Sequence, residues 1–162
     1  MKNIIFIISL AVCSFSLNAQ TDSTQISDEE NKVLGEQFLK ENKLDSAILV
    51  TKSGLQYKII KTGEEDAEQP GKFSLVKVNY HGTKINGDVF DSSIDRGKPH
   101  DFYVHEVIQG WQEALIQMKV GDKWKLFIPQ DLAYGKRALP HVNIAPYDVL
   151  IFELEVLQIV EK

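Results

Sequence analysis

Near the middle of the chain, apolar residues recur at helical spacing and then change to the alternation of a strand. Trp111, Leu115 and Met118 lie three or four positions apart, which predicts one face of a short amphipathic helix. Gly121 follows as a plausible left-handed stop for that helix. In residues 124–128 every second position is apolar, and this predicts a strand. A short helix therefore leads directly into a strand.

Other stretches of the chain alternate between apolar and polar residues and also predict strands. They are residues 55–59, 73–81 and 148–159. Residues 89–92, after a turn, and residues 101–104, after a polar loop, are predicted as two further short strands. Asn86 and Gly87 predict a tight hairpin in which both residues adopt positive φ. Residues 131–146 form a long connection without a regular pattern, and such connections are often functional. The whole pattern predicts an α+β domain, a mostly antiparallel sheet of about five strands wrapped around one short helix.

A second, shorter helix is predicted ahead of the strands. Ser27 followed by Glu30 matches a capping box, and the helix should run to about Asn42. It has a weak apolar face, made of Val33, Leu34, Phe38 and Leu39. A helix lying on the domain surface is the favoured interpretation, and a dimerisation element stays open as the alternative. We therefore assign residues 20–52 to a leader and short helix, and residues 53–162 to the main domain.

Residues 1–19 have the composition of a secretory signal peptide. A short positive start precedes a nearly continuous apolar stretch over residues 4–13, which is too short to span a bilayer comfortably. Cleavage after Ala19 is expected, which would place the mature protein in the periplasm of a two-membrane bacterium. Lipidation of Cys13, giving an envelope-anchored form, is the alternative. Cleavage after Ala19 would remove the one cysteine of the sequence, so the mature chain could form no disulfide.

Composition limits the classes of function. The chain of 162 residues is 43% hydrophobic and 25% charged, which is enough for one globular core. Its formal net charge is −5 and it has no long basic run, so nucleic acid is not an expected partner. No glycine-rich phosphate loop, zinc-protease motif or paired CxxC is present, and the four histidines are scattered. We therefore expect neither a cofactor nor a metal.

Four stretches, in order and with matching spacing, resemble the FKBP-type peptidyl-prolyl isomerases, the immunophilins inhibited by macrolides such as rapamycin. They are VNYHGTKINGDVFDSS at 78–93, VIQGWQEALIQMKVGDKWKLFIP at 107–129, LAYG at 132–135 and VLIFELEVL at 149–157. The resemblance extends from about Gly54 to Lys162. Residues 53–60 further resemble the secreted bacterial branch, whose members often carry an N-terminal dimerisation region. The resemblance implies proline-containing polypeptides and macrolides as partners, and a monomer or weak dimer.

The resemblance also implies a proline-binding pocket. The residues it implies for catalysis are Tyr80, Asp91, Tyr134 and Phe152. Those it implies for substrate binding are Phe90, Arg96, Val107, Ile108, Trp111 and Ile144. Two positions depart from the pattern: His100 replaces a phenylalanine of the best-known members, and Asn143 replaces an apolar residue. Taken singly, Trp111, Phe90 and Phe152 are better explained as ordinary core residues, and only the joint pattern favours a site.

The expected chemistry is rotation about an X–Pro bond, whose barrier is about 18–20 kcal/mol because amide resonance is lost at the twisted state. No nucleophile–base pair suggests a covalent step. The resemblance implies a dry aromatic pocket in which Ile108 N–H and the Tyr134 hydroxyl bind flanking carbonyls. Asp91 would either orient Tyr80 or polarise the surroundings of the twisted amide carbonyl, and Arg96 would anchor Asp91 through an ion pair. A chaperone or peptide-binding module with little turnover stays open as the alternative.

Overall fold

The computed structural model describes residues 26–161, which form a seven-stranded antiparallel sheet and two α-helices. The strands are β1 (Leu49–Val50), β2 (Gln56–Lys61), β3 (Leu75–Lys84), β4 (Val89–Ser92), β5 (His100–Tyr103), β6 (Lys123–Ile128) and β7 (Leu150–Glu161). The helices are α1 (Asp28–Asn42) and α2 (Gln109–Leu115). The predicted α+β class is confirmed. The sheet has seven strands rather than about five, in part because a two-residue strand such as β1 is too short to show alternation.

The predicted signal peptide lies outside the described residues, as do its cleavage site after Ala19 and the lipidation alternative at Cys13. Within residues 26–161, neither helix is long and apolar enough to cross a membrane. The predicted division of the chain at residue 53 stays a prediction. β1, which precedes that residue, pairs with β2 and so adds a strand to the sheet.

The strands follow one another across the sheet in the order β1-β2-β6-β7-β3-β4, and β5 also pairs with β3. β5 pairs with residues 75–78 of β3, whereas β4 pairs with residues 81–83. The two short strands therefore share one edge of β3. The loop of residues 93–99 that joins them is held beside that edge, close to the middle of β3.

The inner face of the sheet packs against α2. The predicted alternation of the last strand is confirmed, since its inward residues Leu150, Phe152, Leu154 and Val156 are all buried. Val76, Val78 and Tyr80 of β3 are also buried, as are Trp111, Ala114 and Leu115 of α2. Apolar residues at every second position thus turn one face of the sheet toward the helix.

α2 ends earlier than its apolar spacing predicts. The helix stops at Leu115, yet Met118 is fully buried, because turns continue the chain in the same direction. The backbone N–H of Met118 donates to Ala114 O at 3.0 Å. Gly121 is left-handed as predicted, with a φ of 89°, and donates its N–H to Val156 O at 2.7 Å. The prediction that it stops the helix is wrong, because Gly121 lies in the turn before β6 and not at the end of α2.

The prediction that both residues of the hairpin turn adopt positive φ is wrong. Gly87 has a φ of 89°, whereas Asn86 does not adopt positive φ. Gly87 N–H donates to Lys84 O at 3.0 Å, and Lys84 N–H donates to Asp88 O at 2.9 Å. The loop between the strands is longer than the predicted two residues, and a turn of this kind needs a left-handed residue only at its end.

Helix α1 begins with the predicted capping box. Ser27 Oγ accepts from Glu30 N–H at 3.3 Å, and Glu30 Oε2 accepts from Ser27 N–H at 2.9 Å. The helix lies on the domain surface as favoured, and Asn31 Nδ2 donates to Pro146 O at 2.7 Å. Its apolar face is only partly used, because Val33 is 52% exposed. The dimerisation alternative stays a prediction.

Candidate active site

A cavity of about 390 Å³ opens between α2, the β3–β4 pair and the loop after β6. Its walls are mainly aromatic and aliphatic. The lining residues are Tyr80, Phe90, Asp91, Phe102, Glu106, Val107, Ile108, Trp111, Ala133, Tyr134 and Phe152. Eight of the ten predicted site residues are among them, and Arg96 and Ile144 are not. The structure therefore brings together residues that are up to 72 positions apart, from Tyr80 to Phe152.

Aromatic rings meeting edge to face build the cavity walls. The Trp111 ring centroid lies 5.1 Å from Phe152, 5.3 Å from Tyr80 and 5.6 Å from Phe102, with interplanar angles of 77–85°. Phe90 meets Phe152 at 5.3 Å and 88°. Such contacts are favourable beyond the area that they bury. Since each ring is fixed by at least one other, the apolar walls are preformed.

One wall of the cavity is backed by a hydrogen-bonded triad of a tyrosine, an aspartate and an arginine, in which each side chain contacts the other two. The Tyr80 hydroxyl donates to Asp91 Oδ2 at 2.7 Å and accepts from Arg96 Nη2 at 2.6 Å. Arg96 Nη1 also donates to Asp91 Oδ1. Ser93 Oγ, fully buried, accepts from Tyr80 N–H at 2.8 Å and fixes the strand below the phenol. Arg96 therefore contacts the wall residues without lining the cavity itself.

This arrangement shifts the pKa values of the two acids in opposite directions. Burial, followed by the hydrogen bond to Asp91, raises the pKa of Tyr80 to about 12. For Asp91, burial opposes ionisation, but hydrogen bonds from Tyr80 and Arg96 outweigh it and lower the pKa. At neutral pH the wall therefore holds a neutral phenol, a carboxylate and a guanidinium.

Two polar groups on the cavity wall are free to bind a ligand. Among residues 26–161, neither the Tyr134 hydroxyl nor the Ile108 backbone N–H has a hydrogen-bond partner. Ile108 is the N-cap of α2, and its carbonyl accepts from Trp111 N–H at 3.0 Å. Burial, and then the charge of Asp91, raises the pKa of Tyr134, so its hydroxyl is a neutral donor. An apolar cavity with two free donors suits a ligand that carries carbonyl groups.

Comparison with known proteins assigns the chain to a family. Residues 66–157 match the model described as FKBP-type peptidyl-prolyl cis-trans isomerase. Residues 10–59 match the model of the domain amino terminal to that isomerase. The chain belongs to the FKBP-type peptidyl-prolyl isomerase family.

Several bacterial members of the family are similar over most of this chain. It is 47% identical to the outer membrane protein MIP of Legionella longbeachae over 131 residues, covering 81% of this chain and 55% of that protein. It is 46% identical to the FKBP-type 22 kDa peptidyl-prolyl cis-trans isomerase of Escherichia coli over 125 residues, covering 77% and 59%. The crystal structure of FkpA from Escherichia coli matches with a TM-score of 0.77 at 36% identity, covering 83% of this chain and 61% of that one. This FKBP-type chain thus spans little more than half the length of the curated relatives it matches.

One residue expected in this FKBP-type pocket lies elsewhere. Ile144 is buried in the core, 4% exposed, and does not line the cavity. Its backbone pairs with Leu139, whose N–H donates to Ile144 O at 2.8 Å. Asn143 just before it has a φ of 56°, a conformation that asparagine tolerates better than apolar residues do. The turn at Asn143 brings the chain back to Leu139 and so places Ile144 in the core.

Three lining residues of this FKBP-type pocket were not predicted: Phe102, Glu106 and Ala133. Phe102 lies in the stretch 101–104, where a short strand was predicted, but nothing in that stretch marks it as a lining residue. The His100 ring contacts Phe102 in a tilted arrangement, with centroids 4.5 Å apart and an interplanar angle of 45°, but His100 is not among the lining residues. Glu106 and Ala133 adjoin predicted residues, and no pattern marks them. Within residues 26–161, no three His, Cys, Asp or Glu side chains lie close enough to hold a metal ion.

Proposed function

We propose that this chain is a peptidyl-prolyl cis-trans isomerase that accelerates rotation about X–Pro bonds in exported proteins. The observation that carries the proposal is the composition of the cavity walls. The walls are mainly aromatic and aliphatic, and the charge of the lining residue Asp91 is balanced by Arg96 behind the wall. Two neutral donors stay free, and family membership supports the same activity.

The proposed mechanism is non-covalent. A proline ring occupies the space beside Trp111, against the contacting pair of Phe90 and Phe152, and excludes water there. The planar amide is more charge-separated than the twisted amide, so a dry apolar pocket disfavours the planar form relative to the twisted one. Rotation then needs less than the uncatalysed barrier of about 18–20 kcal/mol.

The polar groups of the pocket hold the peptide while its bond rotates. Ile108 N–H and the Tyr134 hydroxyl donate to the carbonyls that flank the rotating bond. Asp91 orients the Tyr80 hydroxyl, and Arg96 fixes Asp91 in turn. Because these side chains are held by one another, binding a peptide does not require them to reorganise.

The direct test is cis-to-trans isomerisation of a short X–Pro peptide by the mature domain, with and without rapamycin. We expect a rate enhancement that rapamycin abolishes. Asp91→Val and Phe152→Tyr should each lower the rate while the domain stays folded, and Asp45→Ala on the exposed turn after α1 serves as the control. Unchanged turnover in both pocket variants would overturn the proposed site. No enhancement by the folded wild type would favour a peptide-binding module instead.

We further propose that the chain is exported, on the strength of the composition of residues 1–19. One similar protein carries the name outer membrane protein MIP. Mass spectrometry of the protein purified from a periplasmic fraction should give a mature N-terminus at Gln20. A diacylglycerol-modified Cys13 would instead establish the anchored form. Sedimentation equilibrium of the mature chain should give a monomer or a weak dimer.

A further inference from the structure

The charges at the mouth of the cavity are not balanced. Asp91 is neutralised by Arg96, as described above. Glu106 also lines the cavity, and no lysine or arginine of residues 26–161 forms an ion pair with it. Its Oε1 lies 4.0 Å from His105 Nε2, and a histidine provides a counter-charge only when it is protonated. When His105 is neutral, the Glu106 carboxylate therefore has no ion-pair partner of opposite charge among residues 26–161.

The backbone that carries Glu106 is fixed on both sides. Val104, two positions before it, is fully buried and donates its N–H to Ser74 O at 3.0 Å. Gln112 Nε2 of α2 donates to Val107 O at 2.7 Å and contacts His105 O at 3.4 Å. The Glu106 side chain itself is 65% exposed. The Glu106 carboxylate is thus accessible to a ligand, and hydrogen bonds of the neighbouring residues hold the backbone on both sides of it.

Glu106 can attract a cation that lies beside the bound proline. The carboxylates of the cavity lining are those of Asp91 and Glu106, and Asp91 is already paired with Arg96. Opposite charges a few ångströms apart attract each other, so a peptide with a basic residue next to its proline gains from the Glu106 carboxylate.

We propose that Glu106 gives this isomerase a preference for substrates that carry lysine or arginine beside the proline. The inference rests on the proposed isomerase function and adds a substrate class to it. Because Glu106 is largely exposed, the effect should be modest, a preference of about two- to fivefold in kcat/KM. Salt should weaken it, because exposed charges are screened.

The experiment uses end-blocked peptides with lysine, glutamine or glutamate placed before the proline in one series and after it in another. Isomerisation is measured at about pH 8, where histidine is ordinarily neutral, in low and in high salt. The wild type should favour lysine over glutamine about two- to fivefold in at least one series at low salt. Glu106→Gln should lose this ratio. Glu36→Gln, on the exposed face of α1, should keep it.

The possible results separate the two proposals. A wild type that accelerates every peptide with a lysine-to-glutamine ratio near one, in both series, overturns the charge preference and leaves the isomerase intact. A ratio that survives in Glu106→Gln also overturns it. A folded wild type that accelerates no peptide, even the glutamine ones, overturns the isomerase function and with it the preference.

Discussion

The Tyr80 hydroxyl donates a 2.7 Å hydrogen bond to Asp91 Oδ2, which joins the side chains of β3 and β4 at the wall of the cavity. The same hydroxyl accepts from Arg96, so its single proton is committed to Asp91. The Tyr80 phenol must therefore stay protonated for its hydrogen bond to Asp91 to persist. Burial and the hydrogen bond to Asp91 both favour the protonated phenol, and the pKa of Tyr80 rises to about 12.

Removing this hydroxyl should destabilise the protein in a pH-dependent way. Tyr80→Phe should lower the free energy of unfolding by about 1–2 kcal/mol at neutral pH. An unfolded tyrosine loses its proton near pH 10, whereas folded Tyr80 keeps it to about 12. A raised pKa contributes stability that is complete below about pH 10 and is lost as the pH rises to about 12. Urea unfolding of both proteins across this range should show the difference disappearing.

Tyr57→Phe is the matched control for that titration. The Tyr57 ring stacks on Trp124 with centroids 4.4 Å apart, and its hydroxyl has no hydrogen-bond partner among residues 26–161. The free energy of unfolding of Tyr57→Phe should differ little from that of the wild type. This difference should not show the pH dependence expected for Tyr80→Phe. A difference for Tyr80→Phe that stays constant from neutral pH to about pH 12 would contradict the assignment.

Gly82 should be required for the shape of the pocket. A Cβ at this position would lie 2.8 Å from Phe152 Cε1 and 2.8 Å from Phe90 Cζ. Gly82→Ala must displace one of these rings, and a misplacement of about 1 Å can cost on the order of 100-fold in rate. We expect kcat/KM to fall about 10- to 100-fold. Gly71→Ala, whose Cβ meets only Ser74 Oγ at 3.7 Å, should retain activity, and equal rates for both variants would refute the prediction.

Ser93 should stabilise the fold through the backbone of Tyr80. Its buried Oγ accepts from Tyr80 N–H at 2.8 Å, so Ser93→Ala leaves that donor without its partner. The expected loss is about 1–3 kcal/mol in the free energy of unfolding. Chemical denaturation measures it, with exposed Ser46→Ala as the control. A loss no larger than that of the control would show that another acceptor, such as water, replaces the hydroxyl.

Gly35 should determine how closely α1 approaches the domain. A Cβ there would lie 2.8 Å from Val149 Cγ2. Alanine is the better helix former by about 1 kcal/mol, but overpacking costs about 1–3 kcal/mol. We therefore expect Gly35→Ala to lower stability by about 1 kcal/mol despite its helix propensity. When Gly35→Ala is introduced into the Val149→Ala variant, the free energy of unfolding should stay the same or rise, because the contacting Cγ2 is gone. A decrease as large as in the wild-type background would rule out the steric cause.

The order of apolar and polar residues was sufficient to predict the local structure and the inward faces. Alternation identified Leu150, Phe152 and Leu154 as one buried face, since neighbouring side chains of a strand point to opposite sides. The capping box at Ser27 was also predictable, because its hydrogen bonds join residues only three positions apart. These features depend on short stretches of chain, and the residues within each stretch are enough to specify them.

The tertiary structure decided how distant segments meet. Whether Ile144 faces the cavity or the core depends on the turn at Asn143 and on pairing with Leu139. Phe102 joins the pocket because β5 pairs with the edge of β3, beside β4. The sequence by itself determined which residues are apolar, the type and approximate position of the longer elements, and which side chains of a strand share a face. Only the fold showed that Glu106 has no lysine or arginine partner among residues 26–161. Ion pairs between segments far apart in the chain depend on how those segments pack, and a local sequence pattern does not contain this information.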